Sequence, residues 1–307
     1  ARELIQEALE DFSVDIHFIS GGTLTNLTFI SHVLKPYGAV ISAETGHINT
    51  HETGAVEATG HKVFSIPSKD GKLSPALIRP VLELHENEHW VEPRMVYISN
   101  PTEIGTVYTK EELEELYAFC KRHELYLYID GARLAAALAA EDVTHLSFPD
   151  LPKLCDAFYI GGTKVGALFG EALVVVSDEF KDHFRFNMKQ HGAILAKGFV
   201  LGVQFEELFR NNLYLELGRR SIEMMKPLKE AFEKAGIPLL AEAPTNQIFP
   251  VFPNALAEEI NQKYLTTFQC RPDPDHTCLR FCTSWATSAD AVEDFVKDFE
   301  ELAAKYK

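Results

Sequence analysis

The sequence predicts an α/β protein: a large domain with a mostly parallel seven-stranded sheet sandwiched by helices, followed by a smaller C-terminal α/β domain. Short runs of β-branched and aromatic residues alternate with helical patterns through most of the chain, as β-α units of a parallel sheet do. Most of those runs are near-continuous β-branched or aromatic residues, as expected of strands covered on both faces. Past Gly192 the alternation stops, and a long helical stretch leads into a shorter set of strands and helices. The division expected from this is a large domain over 1–212 and a small one over 213–307.

The chain opens with ARELIQEALEDF, an amphipathic helical pattern. Because it starts inside a helix, a further segment is expected before it. Residues 15–19 (DIHFI) form the first expected strand, and Ser20-Gly21-Gly22-Thr23 turns the chain into a helical pattern that runs to Leu34. Strands follow at 39–42 (AVIS), 62–66 (KVFSI) and 95–98 (MVYI), and then a clear helix at 110–123. The last three strands of the sheet are 125–129 (LYLYI), 157–160 (AFYI) and 172–176 (ALVVV). Residues 192–236 read as helix, with Pro227 expected to kink or divide it. The small domain supplies strands at 247–252 and 278–282 and two helices. The last of these, 288–306, aligns Val292, Phe295, Val296, Phe299 and Leu302 on one face.

Composition narrows the function. Of 307 residues, 46% are hydrophobic and 24% charged, which is ordinary for a globular chain with a sizeable core. The formal net charge of -16 repels polyanions. Nucleic acid is therefore not an expected partner, and any anion site must be built locally. No apolar run approaches the ~20 residues of a membrane span, so no membrane partner is expected. Five scattered cysteines without a Cys-x-x-Cys motif fit free thiols in a reducing compartment. No secretory signal stands at the start, and the expected location is the cytoplasm.

In open sheets of this kind ligands bind beyond the carboxyl ends of the strands, so chemistry is sought where each strand stops. Ser20–Asn26 (SGGTLTN) puts small residues at a helix N-terminus, which suits an anion such as phosphate, or is an ordinary capped turn. Residues 46–54 (GHINTHETG) carry His47, His51 and Glu52. The two histidines have the i,i+4 spacing of a zinc pair, but the order His-Glu-x-x-His is missing, and no metal site is assigned. Residues 99–105 (SNPTEIG) follow the fourth strand. Asp130 ends an aromatic strand, where a buried acid needs a partner unless it caps the next helix. Lys164 follows Gly161-Gly162-Thr163 in an apolar, glycine-rich surround without a charged neighbour in sequence. That setting lowers the pKa of an amine and makes it nucleophilic. Arg280 stands inside an apolar strand, paired with a carboxylate or placed at a sheet edge.

Taken together, these features fit the needs of pyridoxal phosphate. That cofactor requires an anion cradle, a flat group over its ring, an acid facing its pyridine nitrogen and a lysine for a Schiff base. The motifs at 46–60 (GHINTHETGAVEATG), 129–134 (IDGARL), 159–171 (YIGGTKVGALFGE) and 280–287 (RFCTSWAT) go further. On them, the chain from about Phe18 to Trp285 resembles the threonine aldolase and β-eliminating lyase branch of the fold-type-I pyridoxal-phosphate enzymes (the aspartate aminotransferase superfamily).

The resemblance implies roles residue by residue. Lys164 matches the Schiff-base lysine, Asp130 the partner of the pyridine nitrogen, and His47 the histidine that stacks on the ring. Gly22 and Thr23 match the phosphate cradle. Arg133 and Arg280 match two arginines that hold the substrate carboxylate. Lys197 falls near a basic position that reaches the cofactor phosphate from a neighbouring subunit. A second family histidine is missing from 100–105, and His51 stands where the family has a tyrosine. The base for the substrate β-hydroxyl is then His47, through water, or His51. The implied reaction is retro-aldol cleavage of L-threonine or L-allo-threonine to glycine and acetaldehyde by a homodimer or homotetramer. The alternatives are β-elimination from aromatic or other β-substituted amino acids, and a non-catalytic scaffold.

Overall fold

The computed structural model describes residues 1–306. Its main sheet holds β1 (Asp15–Ile19), β2 (Gly38–Ala43), β3 (Lys62–Ile66), β4 (Glu92–Ser99), β5 (Tyr126–Asp130), β6 (Ala157–Gly161) and β7 (Glu171–Val175). The order is β1-β7-β6-β5-β4-β2-β3. Strands β2 to β6 run parallel, and β7 runs against both its neighbours, β6 and β1. This is the mostly parallel seven-stranded sheet the sequence predicts.

The apolar strands have no polar face because each face meets its own core. Val96, Ile98, Leu127, Ile129, Phe158, Ile160 and Val174 point into one core. Met95, Tyr97, Tyr128, Ala157, Tyr159, Leu173 and Val175 point into the other. The alternation is the two-residue period of a strand. The helices that cover the sheet and its flanks are α1 (Arg2–Leu9), α2 (Gly22–Val33), α3 (His47–Thr50), α4 (Pro75–Leu84), α5 (Lys110–Arg122), α6 (Leu134–Ala139), α7 (Glu141–Thr144), α8 (Phe184–Gln190), α9 (Phe199–Phe209) and α10 (Leu213–Glu223). α1, α5 and α6 pack on the first core, through Ile5, Leu113, Leu116, Phe119 and Leu134. α2 and α8 pack on the second, through Phe29, Ile30, Phe184 and Met188. α5 starts where its pattern says. The Thr109 hydroxyl accepts from the Glu112 N–H while the Glu112 carboxylate accepts from the Thr109 N–H, a cap that contributes about 1 kcal/mol.

The long helical stretch expected over 192–236 begins only at Phe199 and is then divided twice. Asn211 and Asn212, at φ 56° and 61°, break it between α9 and α10. The second break comes before α11 (Lys226–Lys234), in whose first turn Pro227 stands. There its missing N–H breaks no helical bond, so the proline opens a helix and does not kink one. α10 turns Tyr214 into the first large-domain core, whereas Met225 and Leu228 enter the core of the small domain. That domain adds α12 (Asn254–Lys263), α13 (Ala289–Ala303) and four strands: β8 (Gln247–Ile248), β9 (Val251–Pro253), β10 (Thr267–Asp273) and β11 (His276–Cys282). β8, β9 and β10 all pair antiparallel with β11. The core is a phenylalanine cluster, with Phe232 edge-on to Phe299 at 4.8 Å between ring centroids. Among the described residues, no helix is long and apolar enough to cross a membrane.

Candidate active site

β4, β5 and β6 lie side by side and end together. Ser99 is in register with Asp130, and Lys164 follows the end of β6 by three residues. The turns fit closely: a Cβ on Gly131 would meet the Tyr159 carbonyl oxygen at 1.9 Å, so the backbone after β5 lies directly against β6. α2 begins beyond β1, and no side chain among the described residues caps its N-terminus at Gly21. Nothing stands within 4 Å of where a Cβ on Gly21 would lie, whereas a Cβ on Gly22 would crowd the Tyr159 hydroxyl at 3.0 Å.

A buried network joins these strand ends. Asp130 is only 3% exposed. Its Oδ2 accepts from the Tyr97 hydroxyl at 2.5 Å and from the Asn26 amide at 3.1 Å, and its Oδ1 accepts from the Ala132 N–H at 3.0 Å. The acid therefore does not cap α6, whose N-cap position is Arg133. The Asn26 amide also donates to Glu52 Oε1 at 2.8 Å, and its carbonyl oxygen accepts from the Tyr128 hydroxyl at 3.0 Å. The same Glu52 oxygen meets His47 Nδ1 at 2.7 Å. The His47 backbone N–H donates to Glu103 Oε1 at 2.8 Å, and the Ser99 hydroxyl donates to that oxygen at 2.5 Å.

The network sets the charges. The hydrogen bond to Glu52 holds His47 above its ordinary pKa, against burial, which lowers it. His51 stacks on His47 at 5.4 Å with the planes 16° apart. Its pKa is lowered by burial and then by His47, Arg280 and Lys164. The two rings lie parallel and His47 Nδ1 is engaged by Glu52, so they do not converge as a metal pair would. Burial pushes the Glu103 carboxyl up to about 7, against the Ser99 bond, with Asp130 adding to the rise.

The Lys164 side chain is exposed. Its pKa is nevertheless lowered, first by desolvation and next by the Arg133 guanidinium, while Asp130 and Glu171 act the other way. The charge-free surround seen in sequence is thus a property of the sequence alone, since the fold brings Arg133, Asp130 and Glu171 to this lysine. Glu171 fixes the loop that carries it, accepting from the Gly162 N–H at 2.9 Å and the Thr163 hydroxyl at 3.0 Å. Burial pushes the Glu171 carboxyl up to about 7.

The structure thus gathers Lys164, Asp130, His47, His51, Arg133 and Arg280 into one electrostatic cluster, with Gly22 and Thr23 one helical turn from Asn26. It does not bring Lys197 there: that residue is exposed between α8 and α9. A separate cleft beside β1, lined in part by Arg2, His17, Phe18, Arg185 and Phe199, contains none of the predicted residues. Sequence reading missed Asn26, Tyr97, Glu52, Glu103 and Glu171 as site residues. Glu52 and Glu103 stand inside motifs already singled out. Asn26 is a polar residue on the buried side of a helix, a signal that was available.

Three comparisons extend this geometry. The model of the Beta-eliminating lyase family matches residues 4–254. The low specificity L-threonine aldolase of Pseudomonas aeruginosa is 28% identical over 292 residues, covering 92% of this chain and 82% of its own. A solved threonine aldolase structure from Leishmania major superposes with a TM-score of 0.96 at 47% identity, over 98% of this chain and 88% of that one. A serine palmitoyltransferase from S. paucimobilis with bound PLP (pyridoxal phosphate) shares the fold alone, at TM-score 0.73 and 14% identity over 99% of this chain and 75% of that one.

Proposed function

The chain belongs to the Beta-eliminating lyase family, and on that premise we propose that it is a pyridoxal-phosphate-dependent aldolase. It cleaves L-threonine or L-allo-threonine to glycine and acetaldehyde. The observation that carries the proposal is the placement of Asp130 at the end of β5 and Lys164 just past the end of the adjacent parallel β6, with His47 tied to Asp130 through Glu52 and Asn26. The residues fit the cofactor. The uncapped first turn of α2 offers N–H groups to a phosphate, a buried carboxylate stands ready for a ring nitrogen, and the buried Glu52 Oε2 has no partner among the described residues. When bound, the cofactor supplies an electron sink for the pair released from the Cα–Cβ bond.

The chain's own residues do the rest. The lowered pKa of Lys164 enlarges the fraction of free amine, the form that attacks an aldehyde. Asp130, whose carboxyl oxygens accept three hydrogen bonds, would face the heterocycle nitrogen and favour a proton there. Arg133 and Arg280 bind the substrate carboxylate and so set which bond at Cα is broken. The two histidines divide the proton work. Glu52 biases His47 toward its charged form, whereas His51 is biased toward neutrality and is the better base for the β-hydroxyl. Such a transfer contributes about 10²–10⁴-fold.

The test is to supply L-threonine and a β-substituted amino acid separately and to assay acetaldehyde and pyruvate. Acetaldehyde from threonine is expected. Pyruvate alone would make the protein a β-eliminating lyase, and neither product would leave a non-catalytic scaffold. We also propose a cytoplasmic homodimer or homotetramer. Exposed Phe186, Leu195, Phe199 and Val203 flank Lys197 along α8 and α9, a face on which a second copy would bring that lysine to a neighbouring site. A monomer in sedimentation would remove this part.

A further inference from the structure

β10 and β11 place two cysteines directly opposite each other. Cys270 is the register partner of Cys278, and the ladder is irregular on both sides of this pair. Opposed residues of antiparallel strands have Cα atoms about 4.5–5.5 Å apart and side chains on one face. A disulfide needs about 4.4–6.8 Å between Cα atoms. The Cys278 thiol donates to the Phe249 carbonyl at 3.5 Å, and Cys270 is the nearest titratable influence on it. The irregularities leave the backbone around Cys270 less constrained by ladder hydrogen bonds.

We propose that Cys270 and Cys278 form a reversible oxidation site, a cross-strand disulfide made by hydrogen peroxide, that clamps β10 onto β11. The two thiols differ in access. Cys270 is half-buried, whereas Cys278 is fully buried against Ile104 and Phe249. Burial pushes the Cys278 thiol up to about 12, so Cys270 attacks first. Its thiolate displaces hydroxide from peroxide and becomes a sulfenic acid. The Cys278 sulfur then attacks the Cys270 sulfur, which releases water and forms the S–S bond. Overall, two thiols and one peroxide give one disulfide and two waters, and a dithiol reductant reverses the step.

The clamp acts near the candidate site. Cys278 and Arg280 are two residues apart and share one face of β11. Drawing the sulfurs to bonding distance, about 2.05 Å, pulls on the strand that holds Arg280. This consequence rests on the proposed aldolase reading, whereas the cross-link itself does not.

The experiment treats the full protein with a small molar excess of peroxide and maps peptides without reduction. A cross-linked 270–278 peptide pair, two hydrogens lighter and restored by dithiothreitol, is expected. In Cys278→Ser, a sulfenic acid at Cys270 should be trapped by dimedone, and Cys270→Ser should give neither product. Retention of both thiols while the exposed Cys282 is oxidised would overturn the proposal. In fully cross-linked protein, KM for L-threonine is expected to rise severalfold with kcat little changed, and Cys270→Ser should show no such response. An unchanged KM would overturn the link to Arg280 while the peptide map stands.

Discussion

Asn26 separates two buried carboxyls with one amide, and its removal is the sharpest test of the network. The side chain is fully buried and makes three hydrogen bonds, two of them to Glu52 and Asp130. Asn26→Ala deletes both charge-assisted bonds, each contributing about 1.5–3 kcal/mol, and leaves the Tyr128 hydroxyl without its acceptor, a loss of about 1–3 kcal/mol. Glu52 keeps His47, Asp130 keeps Tyr97 and Ala132, and water entering the gap recovers part. The expected loss of stability is therefore about 3–5 kcal/mol, or roughly 10 °C in the melting temperature. Equilibrium urea unfolding of cofactor-free protein, followed by circular dichroism, measures it. Asn26→Asp separates charge from packing, because it sets a third carboxyl between two others. That carboxyl is held in its protonated form by its neighbours, so the variant should lose stability as pH rises. A loss under about 1 kcal/mol for Asn26→Ala, or an Asn26→Asp variant whose deficit is flat in pH, would refute the assignment of Asn26 as the bridge.

Lys164→Ala is expected to lose the visible absorbance of the cofactor-loaded protein together with threonine cleavage, and full activity in that variant would remove Lys164 from the chemistry. If His51 is the base it must be neutral, so kcat/KM should rise with pH along a limb centred below 6.5, the ordinary value from which its pKa is lowered. His51→Asn should abolish that limb and reduce kcat by about 10²–10⁴-fold. A limb centred above 6.5 that survives in His51→Asn would assign the role to His47, whose pKa is raised. Glu103 is pushed from 4.5 to about 7, so the fold favours its protonated form. Its contribution to stability is full below pH 4.5 and is lost as pH rises through 7. Relative to Glu103→Gln, the wild type should lose up to about 3 kcal/mol across that window, and parallel stability curves would count against the burial of this acid.

The sheet was legible because its inner strands are buried on both faces and therefore read as nearly continuous apolar runs. The same criterion concealed β10, whose sequence TFQCRPD is polar, contains Pro272 and is largely exposed. An edge strand of that kind is defined by its partner β11 and not by its own composition. The residues found at the strand ends share one property: each stops a strand or follows it within a few positions, so local order revealed them. Some of the missed roles are long-range bonds, whereas Glu52 and Glu171 bond near neighbours inside motifs already read. Asn26 meets Asp130 across 104 positions and the His47 N–H meets Glu103 across 56, separations that no local pattern encodes.

Lys164 shows how a local reading reaches the right direction with an incomplete cause. Apolar neighbours in sequence predict a lowered pKa, and desolvation is indeed its first cause, but Arg133 is the second and comes from another strand end. The cluster sets Glu52, Glu103, Asp130 and Glu171 against Lys164, His47, Arg133 and Arg280, in a chain of net charge -16. Burial holds two of those acids up to about 7, which lessens the negative charge around Lys164 near neutral pH. The fold thereby builds a local place for an anion that the overall field disfavours. It does so by protonating acids as well as by adding cations, and composition alone could reveal only the cations.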